Sequence, residues 1–471
     1  MEIAVSMRTL AWVRDALAAA GELVRAELRG FDATIWSGAI IDNRQECAGK
    51  IFFALAGENT DGHRFSVPAF RAGSPALVIS DASVGAELDA LEAPYFLVSD
   101  TRSALTLLAR EYRTRLSARV VAITGSSGKT TTKEYIRAVL KTMYRVHANP
   151  GNLNSLVGVP LTILGADEDS EYMVCEVGAN QRGEIDVLAT LLVPDIAVIT
   201  NIGDAHVGYF GSRDAIASEK GMLLRHFANG GHAVLPRDDA YFERLNAIVQ
   251  GNVSSFGRSN GADFRLGDIA FVEGRLTFSV NGEPLALAAV GEYNAMNACA
   301  AFAVGEICGV PAARMRAAFA AVQATPGRGR VDTVAGVTVI DESYNASPSS
   351  MRKSIAMLGT LATAGRRIAV LGDMRELGDQ SDELHRAVGA EAGERNLDRV
   401  YWMGEYGAIV RDAARAMRPS IAIDLHTEMP ALIAAVAKDV RDGDVVLVKA
   451  SRGTRLDEFV AGLLKSLYAR G

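Results

Sequence analysis

The chain has no apolar run approaching the ~20 residues that a membrane helix needs, so no membrane insertion is expected. Cysteine is scarce: Cys47, Cys175, Cys299 and Cys308 form no CxxC pair and have no His at zinc-finger spacing. That excludes a disulfide scaffold or a zinc ribbon and suits thiols kept in a reducing compartment. Basic charge is also short, with 49 Lys and Arg against 56 Asp and Glu and a net charge of −7. This argues against a nucleic-acid partner held by a broad basic face, while leaving room for a local basic pocket for phosphates. The start, Met1 to Arg8, has no basic n-region and no long apolar stretch, so no signal peptide is expected. Internal repeats and low-complexity tracts are lacking too. Together these absences predict a cytoplasmic globular protein, and nothing in them demands more than a monomer.

What is present is an ordinary globular composition, 49% apolar and 22% charged over 471 residues, enough for several cores. The pattern divides the chain into three domains of α/β class. Residues 1–103 mix short strands and turns, with a buried strand expected at Lys50 to Leu55 and a loop from Gly57 to Gly62. Residues 104–325 alternate helix and strand: a helix from Ser103 to Leu116, strands at Arg119–Ile123, Tyr172–Val177 and Asp195–Thr200, and a helix from about Lys129. In that helix Tyr135, Ile136, Val139, Leu140 and Met143 share one face by spacing. This βαβ alternation predicts a parallel sheet. Residues 326–471 repeat it, with strands at Val337–Ile340, Arg367–Leu371, Arg399–Met403 and Val445–Lys449 and a closing helix from Leu456 to Leu467, which reads as a Rossmann-like domain. Pro and Gly cluster at Thr325 to Arg330, the expected linker.

The strongest local signal is Thr124-Gly125-Ser126-Ser127-Gly128-Lys129-Thr130-Thr131-Thr132, between an apolar strand and an amphipathic helix. Glycines let the backbone turn its N–H groups toward phosphate oxygens, and the helix N-terminus adds partial positive charge. Lys129 supplies a full charge to the outer phosphates, and the Thr130 hydroxyl suits Mg²⁺. The loop is shorter than the common pattern, with Ile123 where that pattern has its first Gly. It predicts ATP binding without saying what becomes of the phosphate.

Other candidates are weaker when read alone. Glu176 ends a strand and suits Mg²⁺, or else makes a surface cap or an ordinary ion pair. His206 follows another strand, where a lone His is more often a hydrogen-bonding residue than a ligand. Lys220 reads as a solvated helix residue. Asp341 to Pro348 also follows a strand, and Ser347-Pro348 suits the start of a helix.

Taken in order, these segments resemble the Mur ligases, and within them the type that adds D-Ala-D-Ala to UDP-N-acetylmuramoyl-tripeptide. The resemblance is carried by Thr124 to Glu134, Asn152 to Thr162, Glu176 to Asn180 with Gly183-Glu184-Ile185, Gly291 to Asn297, Asp341 to Pro348, Gly372 to Gly378 and Val448 to Gly453. It spans nearly the whole chain and implies a small N-terminal substrate domain, a central P-loop ATPase domain and a C-terminal Rossmann-like domain. It implies that Gly125, Ser126, Ser127, Gly128, Lys129, Thr130 and Thr131 bind ATP, and that Thr130, Glu176, His206 and a CO₂-carbamylated Lys220 hold Mg²⁺. Asn294 and Asn297 would lie at the adenine. Arg328 or Arg330, with Asp341, Tyr344 and Asn345, would close over the nucleotide. Asp42, Asn43 and Arg44, with the loop around Gly57 to His63, would hold the uridine end of a UDP-linked muramoyl peptide, and Asn154 and Ser155 fall in a second substrate motif. Lys129, Glu176, His206 and Lys220 would carry the catalysis, with D-Ala-D-Ala as the amine.

The chain departs from the family pattern at Asn43 (for Ser), Ser155-Leu156, Gln181-Arg182, Val207-Gly208, Met222 and Ala450 (for Gly). An amide ligase of a specialised pathway, joining another acid and amine, is the alternative these departures raise.

Overall fold

The computed structural model describes residues 8–57, 60–228, 230–272 and 274–470. Met1 to Met7, part of the start read as lacking a signal peptide, and Glu58-Asn59 of the expected 57–63 loop lie outside the described residues. The chain divides into two compact units, Met1–Ala122 with Tyr144–Ala179 and Glu184–Asp195, and Ile123–Met143 with Asn180–Gly183 and Ile196–Gly471. Among the described residues no helix is long and apolar enough to cross a membrane.

The first unit contains a five-stranded sheet in the order Leu23–Glu27, Tyr95–Val98, Leu77–Ile79, Lys50–Phe53, Gly38–Ile40. Only the first pairing is antiparallel. The inner strands are apolar without alternation because a parallel sheet is covered on both faces. Phe52, Leu77, Ile79 and Tyr95 accordingly join Leu88 and Ala69 in one core. The Lys50 strand ends at Phe53, two residues earlier than read. The helix expected from Ser103 runs Thr101–Arg113, because the Asp100 carboxylate caps it by accepting the Ser103 N–H. Later in the same unit Val146–Ala148 pairs in parallel with the fully buried strand Tyr172–Glu176.

In the second unit the helix Lys129–Leu140 buries Tyr135, Ile136, Val139 and Leu140 as its spacing predicts. Met143 does not join them: the helix ends at Leu140, and Met143 is 41% exposed. The strands Ile196–Ile199, His232–Pro236, Asn252–Gly257 and Phe264–Val272 pair in parallel, and Arg275–Val280 and Glu283–Leu287 extend them antiparallel. The last part of this unit is a six-stranded sheet in the order Arg330–Val334, Val337–Glu342, Val445–Lys449, Arg367–Gly372, Arg399–Met403, Ala422–His426. All pairings but the first are parallel. Val445–Lys449, last in sequence, lies between Val337–Glu342 and Arg367–Gly372, and ligands of such open sheets sit beyond the carboxyl ends of the strands where the order reverses. Val339, Val370, Val446 and Val448 pack with Leu456, Phe459 and Leu463 of the closing helix. Fully burying side chains of this kind stabilises the fold by about 1.5–3 kcal/mol each.

Candidate active site

The loop after Thr124 is bolted down by the residues that follow the strand Ile196–Ile199. The Ser126 amide donates to the Asn201 carbonyl at 3.0 Å. The Asn201 side chain accepts the Ser127 N–H at 3.2 Å and donates to the Ser127 carbonyl at 2.9 Å. Thr200 Oγ1 donates to that same carbonyl at 2.6 Å, and Ser126 Oγ accepts the Gly203 N–H at 2.8 Å. A Cβ on Gly125 would lie 1.8 Å from Thr200 Oγ1, and one on Gly128 would lie 2.4 Å from Asn297 Oδ1. Both glycines have positive φ, 153° and 80°. The loop therefore tolerates no side chain at either position, the mark of backbone built to approach a ligand closely. Lys129 Nζ donates to the Gly125 carbonyl at 2.9 Å, which lays the ammonium along the loop. Thr130 is buried in the first turn of the helix, whose N-cap, Gly128, carries no side-chain cap. These features fit the triphosphate of a nucleotide.

In the first unit Glu176 is held at the end of its strand by two asparagines. Its amide donates to Asn149 Oδ1 at 2.9 Å, and its Oε1 accepts from Asn154 Nδ2 at 2.7 Å. Glu176 is buried, not a surface cap. Ser155, exposed, accepts the Gly158 N–H at 3.3 Å at the start of the next helix. Asp42 accepts from the Arg44 amide at 3.0 Å and from its guanidinium at 2.7 Å, and this contact holds the Asp42 carboxyl below the usual range. Asn43 contributes its carbonyl, which faces the Cys47 thiol. His63 accepts the Ser80 N–H and faces Asp61, ordering the described end of the neighbouring loop.

In the second unit His206 is the N-cap of a short helix in left-handed backbone, φ 62°. Its Nδ1 lies 2.6 Å from Glu376 Oε2, and the imidazole lowers the Glu376 pKa. The Gly208 amide donates to the Glu376 carbonyl at 3.0 Å, so the 373–378 loop docks on this turn. Lys220 is only 3% exposed, which corrects its reading as a solvated helix residue. Its neighbour Glu219, also buried, accepts the Gly183 N–H at 2.7 Å.

The linker residues divide. Arg330 is paired with Asp332 at 2.8 Å, whereas the Arg328 guanidinium lies 3.9 Å from the Tyr344 ring centre. Asp341 is committed to the chain itself, accepting from the Gly327 amide at 2.9 Å and the Ser343 hydroxyl at 2.6 Å. Asn294 donates to the Val290 carbonyl at 2.7 Å, and its neighbour Tyr293 donates its hydroxyl to Glu342. Burial works against the charge on Glu342, but Lys449 at 3.2 Å with the Ser354 and Tyr293 hydroxyls outweighs it and keeps the carboxyl ionised. Asn345 is exposed beside it, its carbonyl accepting from Lys449.

Three family models match in order: the Mur ligase family catalytic domain over residues 37–113, the Mur ligase middle domain over 123–305, and the Mur ligase glutamate ligase domain over 327–452. The UDP-N-acetylmuramoyl-tripeptide–D-alanyl-D-alanine ligase of Bacillus subtilis is 36% identical over 94% of this chain and 97% of its own length. The chain belongs to the Mur ligase family. The Escherichia coli ligase of the same name is 31% identical over 94% of this chain and 96% of its own. Among solved structures, MurF from Acinetobacter baumannii superposes with a TM-score of 0.83 at 29% identity, covering 96% of this chain and 98% of that one. MurF ligase from Thermotoga maritima in complex with ADP gives 0.79 at 30% identity, over 92% and 99%. The protein is thus an ATP-dependent amide ligase of Mur type that acts in peptidoglycan precursor synthesis.

Membership of the Mur ligase family implies the use of ATP with Mg²⁺. Among the described residues no three His, Cys, Asp or Glu side chains gather as a metal-ligand set. Sequence reasoning missed Thr200 and Asn201, which hold the phosphate loop, and Ser451, which ties the loops of the last sheet. Ser451 Oγ accepts the Arg375 N–H at 2.9 Å and donates to the Ala346 carbonyl at 3.3 Å, and its amide donates to the Asp373 carbonyl at 3.2 Å. The only signal for Ser451 was its place in the Val448–Gly453 segment that resembles the family.

Proposed function

We propose that this ligase joins D-Ala-D-Ala to UDP-N-acetylmuramoyl-tripeptide, with residues 1–103 holding the UDP-linked acid, 104–325 the ATP phosphates, and 326–471 closing over the nucleotide and receiving the amine. The observation that carries it is the similarity to D-Ala-D-Ala-adding ligases over 94% of the chain, together with a glycine loop that leaves no room for side chains.

A carboxylate is a poor electrophile because an amine does not displace oxide from it. Transfer of the ATP γ-phosphoryl group makes an acyl phosphate, and the amine then expels phosphate to leave an amide. Lys129 and the loop amides stabilise the charge on the moving phosphoryl group. Thr130, Glu176, His206 and a carbamylated Lys220 are the residues that would hold Mg²⁺, and the ion would supply neutralising charge to the phosphate oxygens. The burial of Lys220 supports the carbamate, since a buried ammonium is costly whereas a carbamate gains from a cation. Arg328 on Tyr344, with Asn345, would cover the nucleotide, and Asn294 and Asn297 would face the adenine.

The test is coupled ADP release with ATP, Mg²⁺, UDP-N-acetylmuramoyl-tripeptide and D-Ala-D-Ala, each omitted in turn, with the product weighed by mass spectrometry. The expected result is ADP only in the full mixture and a pentapeptide precursor product. Release that needs only one organic substrate sinks the ligase reading. Release with another acid and amine but not with these establishes the specialised-pathway alternative.

A further inference from the structure

A buried ion pair joins segments of the second unit that lie far apart in sequence. Glu342 ends the strand Val337–Glu342 and Lys449 ends Val445–Lys449. The two are register partners across the parallel pairing, 5% and 6% exposed. Lys449 Nζ lies 3.2 Å from Glu342 Oε2 and donates to the Asn345 carbonyl, also at 3.2 Å. The other carboxylate oxygen, Oε1, accepts the hydroxyl of Tyr293, from the first turn of the helix Glu292–Ile307. The Tyr293 ring folds back over Gly291: a Cβ there would lie 2.4 Å from Tyr293 Cε1, and φ is 86°. Asn294, the next residue, is buried. A Cβ on Gly329, in the linker, would lie 3.2 Å from Asn294 Nδ2 and 4.0 Å from Glu342 Oε1. The helix start, the linker and the loop after Glu342 thus meet around one ion pair.

Such a pair is a poor source of stability. Desolvation takes back much of what the attraction of two buried charges supplies, and apolar side chains of the same volume hold a core as well. What the pair supplies is direction. A carboxylate accepts strong, oriented hydrogen bonds, and an ammonium has three donors to share. Glu342 fixes the helix start that carries Asn294, and Lys449 fixes the loop that carries Asn345. The function proposed above puts both asparagines at the nucleotide. Resting on that placement, we infer that Tyr293, Glu342 and Lys449 form a positioning unit that sets Asn294 and Asn345 at the spacing ATP needs, and so governs nucleotide affinity.

The test measures the affinity of the full chain for a non-hydrolysable ATP analogue by calorimetry, with KM values from the ligation assay, for wild type, Y293F, S354A and N294A. Y293F removes one hydroxyl from Glu342. It is expected to weaken the analogue and raise the KM for ATP by on the order of 10-fold, with the KM for the UDP-linked acid within about twofold of wild type. Ser354 donates the other hydroxyl to the same carboxylate but bonds to neither asparagine. S354A should therefore leave both nucleotide readings within about twofold. Equal effects of Y293F and S354A on nucleotide affinity reduce the two hydroxyls to packing and overturn the positioning role. N294A separates the two levels. Where it weakens the analogue and Y293F does not, the asparagine placement stands and the positioning unit falls. Where N294A binds as the wild type does, the placement itself fails and the unit with it. Should Y293F lose its fold, as read by its melting curve, E342D decides in its place, since it keeps a charge against Lys449 and draws the carboxylate back from Tyr293. It is expected to weaken the analogue as Y293F does, and wild-type affinity in E342D overturns the proposal.

Discussion

The phosphate loop and the loop cluster of the last sheet both lie beyond the carboxyl ends of parallel strands, yet they are built in different ways. The first is one continuous stretch, Thr124 to Thr132, whose working groups are backbone amides and a single lysine. Its glycines are required because Thr200 and Asn297 fill the space where side chains would stand. The second is assembled from three stretches about thirty to eighty residues apart, tied to one another through Ser451 and Tyr344. A backbone site is written into a local motif. A side-chain site is written into contacts between distant segments.

The largest effect that would sharpen this contrast is at Lys129. K129A is expected to lower the ligation rate on the order of 10²–10³-fold, with an unchanged far-UV spectrum and melting temperature. A loss below tenfold would mean that the backbone carries the phosphate alone. Next comes G125A, whose methyl meets Thr200 Oγ1. It should destabilise the protein by about 1–3 kcal/mol and abolish binding of a non-hydrolysable ATP analogue in calorimetry. Retained binding would show that the loop has more room than its contacts allow.

At the other site a single side chain should affect all three loops. S451A removes the acceptor for the Arg375 amide and a donor to Ala346, at a cost of about 1–3 kcal/mol. The expected outcome is a rise of roughly tenfold in the KM for the amine substrate, with nucleotide affinity unchanged. Equal damage to both would break the distinction between the two sites.

The smallest effect concerns His385, buried under the 373–378 loop. Its Nε2 accepts the Met374 N–H at 3.0 Å, its Nδ1 faces the Ser381 carbonyl at 2.7 Å, and the ring stacks on Tyr406 with centres 4.0 Å apart. Burial lowers its pKa, more than the Ser381 carbonyl and the carboxylates of Asp373 and Asp382 raise it. The unfolded chain therefore binds the extra proton first. Stability is full above the ordinary histidine value of about 6.5 and declines as pH falls below it, by at most about 1.4 kcal/mol per pH unit. Melting temperatures at pH 5.5 and 7.5 should diverge in the wild type and converge in H385N. A wild type as stable at 5.5 as at 7.5 would show that His385 stays neutral in both states.

Much of the fold was legible in the sequence where burial left a simple pattern. The strands Arg399–Met403 and Val445–Lys449 match the reading to the residue, because unbroken apolar runs bounded by polar turns admit few other ends. The antiparallel strands between Phe264 and Leu287 went unread, since in Phe264–Val272 the apolar residues are broken by Arg265, Gly267 and Asp268 and only Leu266 is buried. Met143 fits the helical spacing but falls beyond the helix end, which the pattern does not mark. Lys220 looked solvated because a buried lysine has no local signature; burial there depends on distant segments. The glycine loop, with its lysine, was legible as chemistry. Arg328 and Arg330 were indistinguishable until Asp332 and Tyr344 claimed one each.

Gly372 ends its strand and Ala450 directly follows the neighbouring one, and a methyl added to Gly372 would meet the Ala450 methyl at 3.0 Å and the Met403 carbonyl at 2.9 Å. The alanine at 450 is therefore half of a steric pair. Chains that keep alanine at this place are expected to keep glycine at the other, and any redesign of this sheet has to alter the two together.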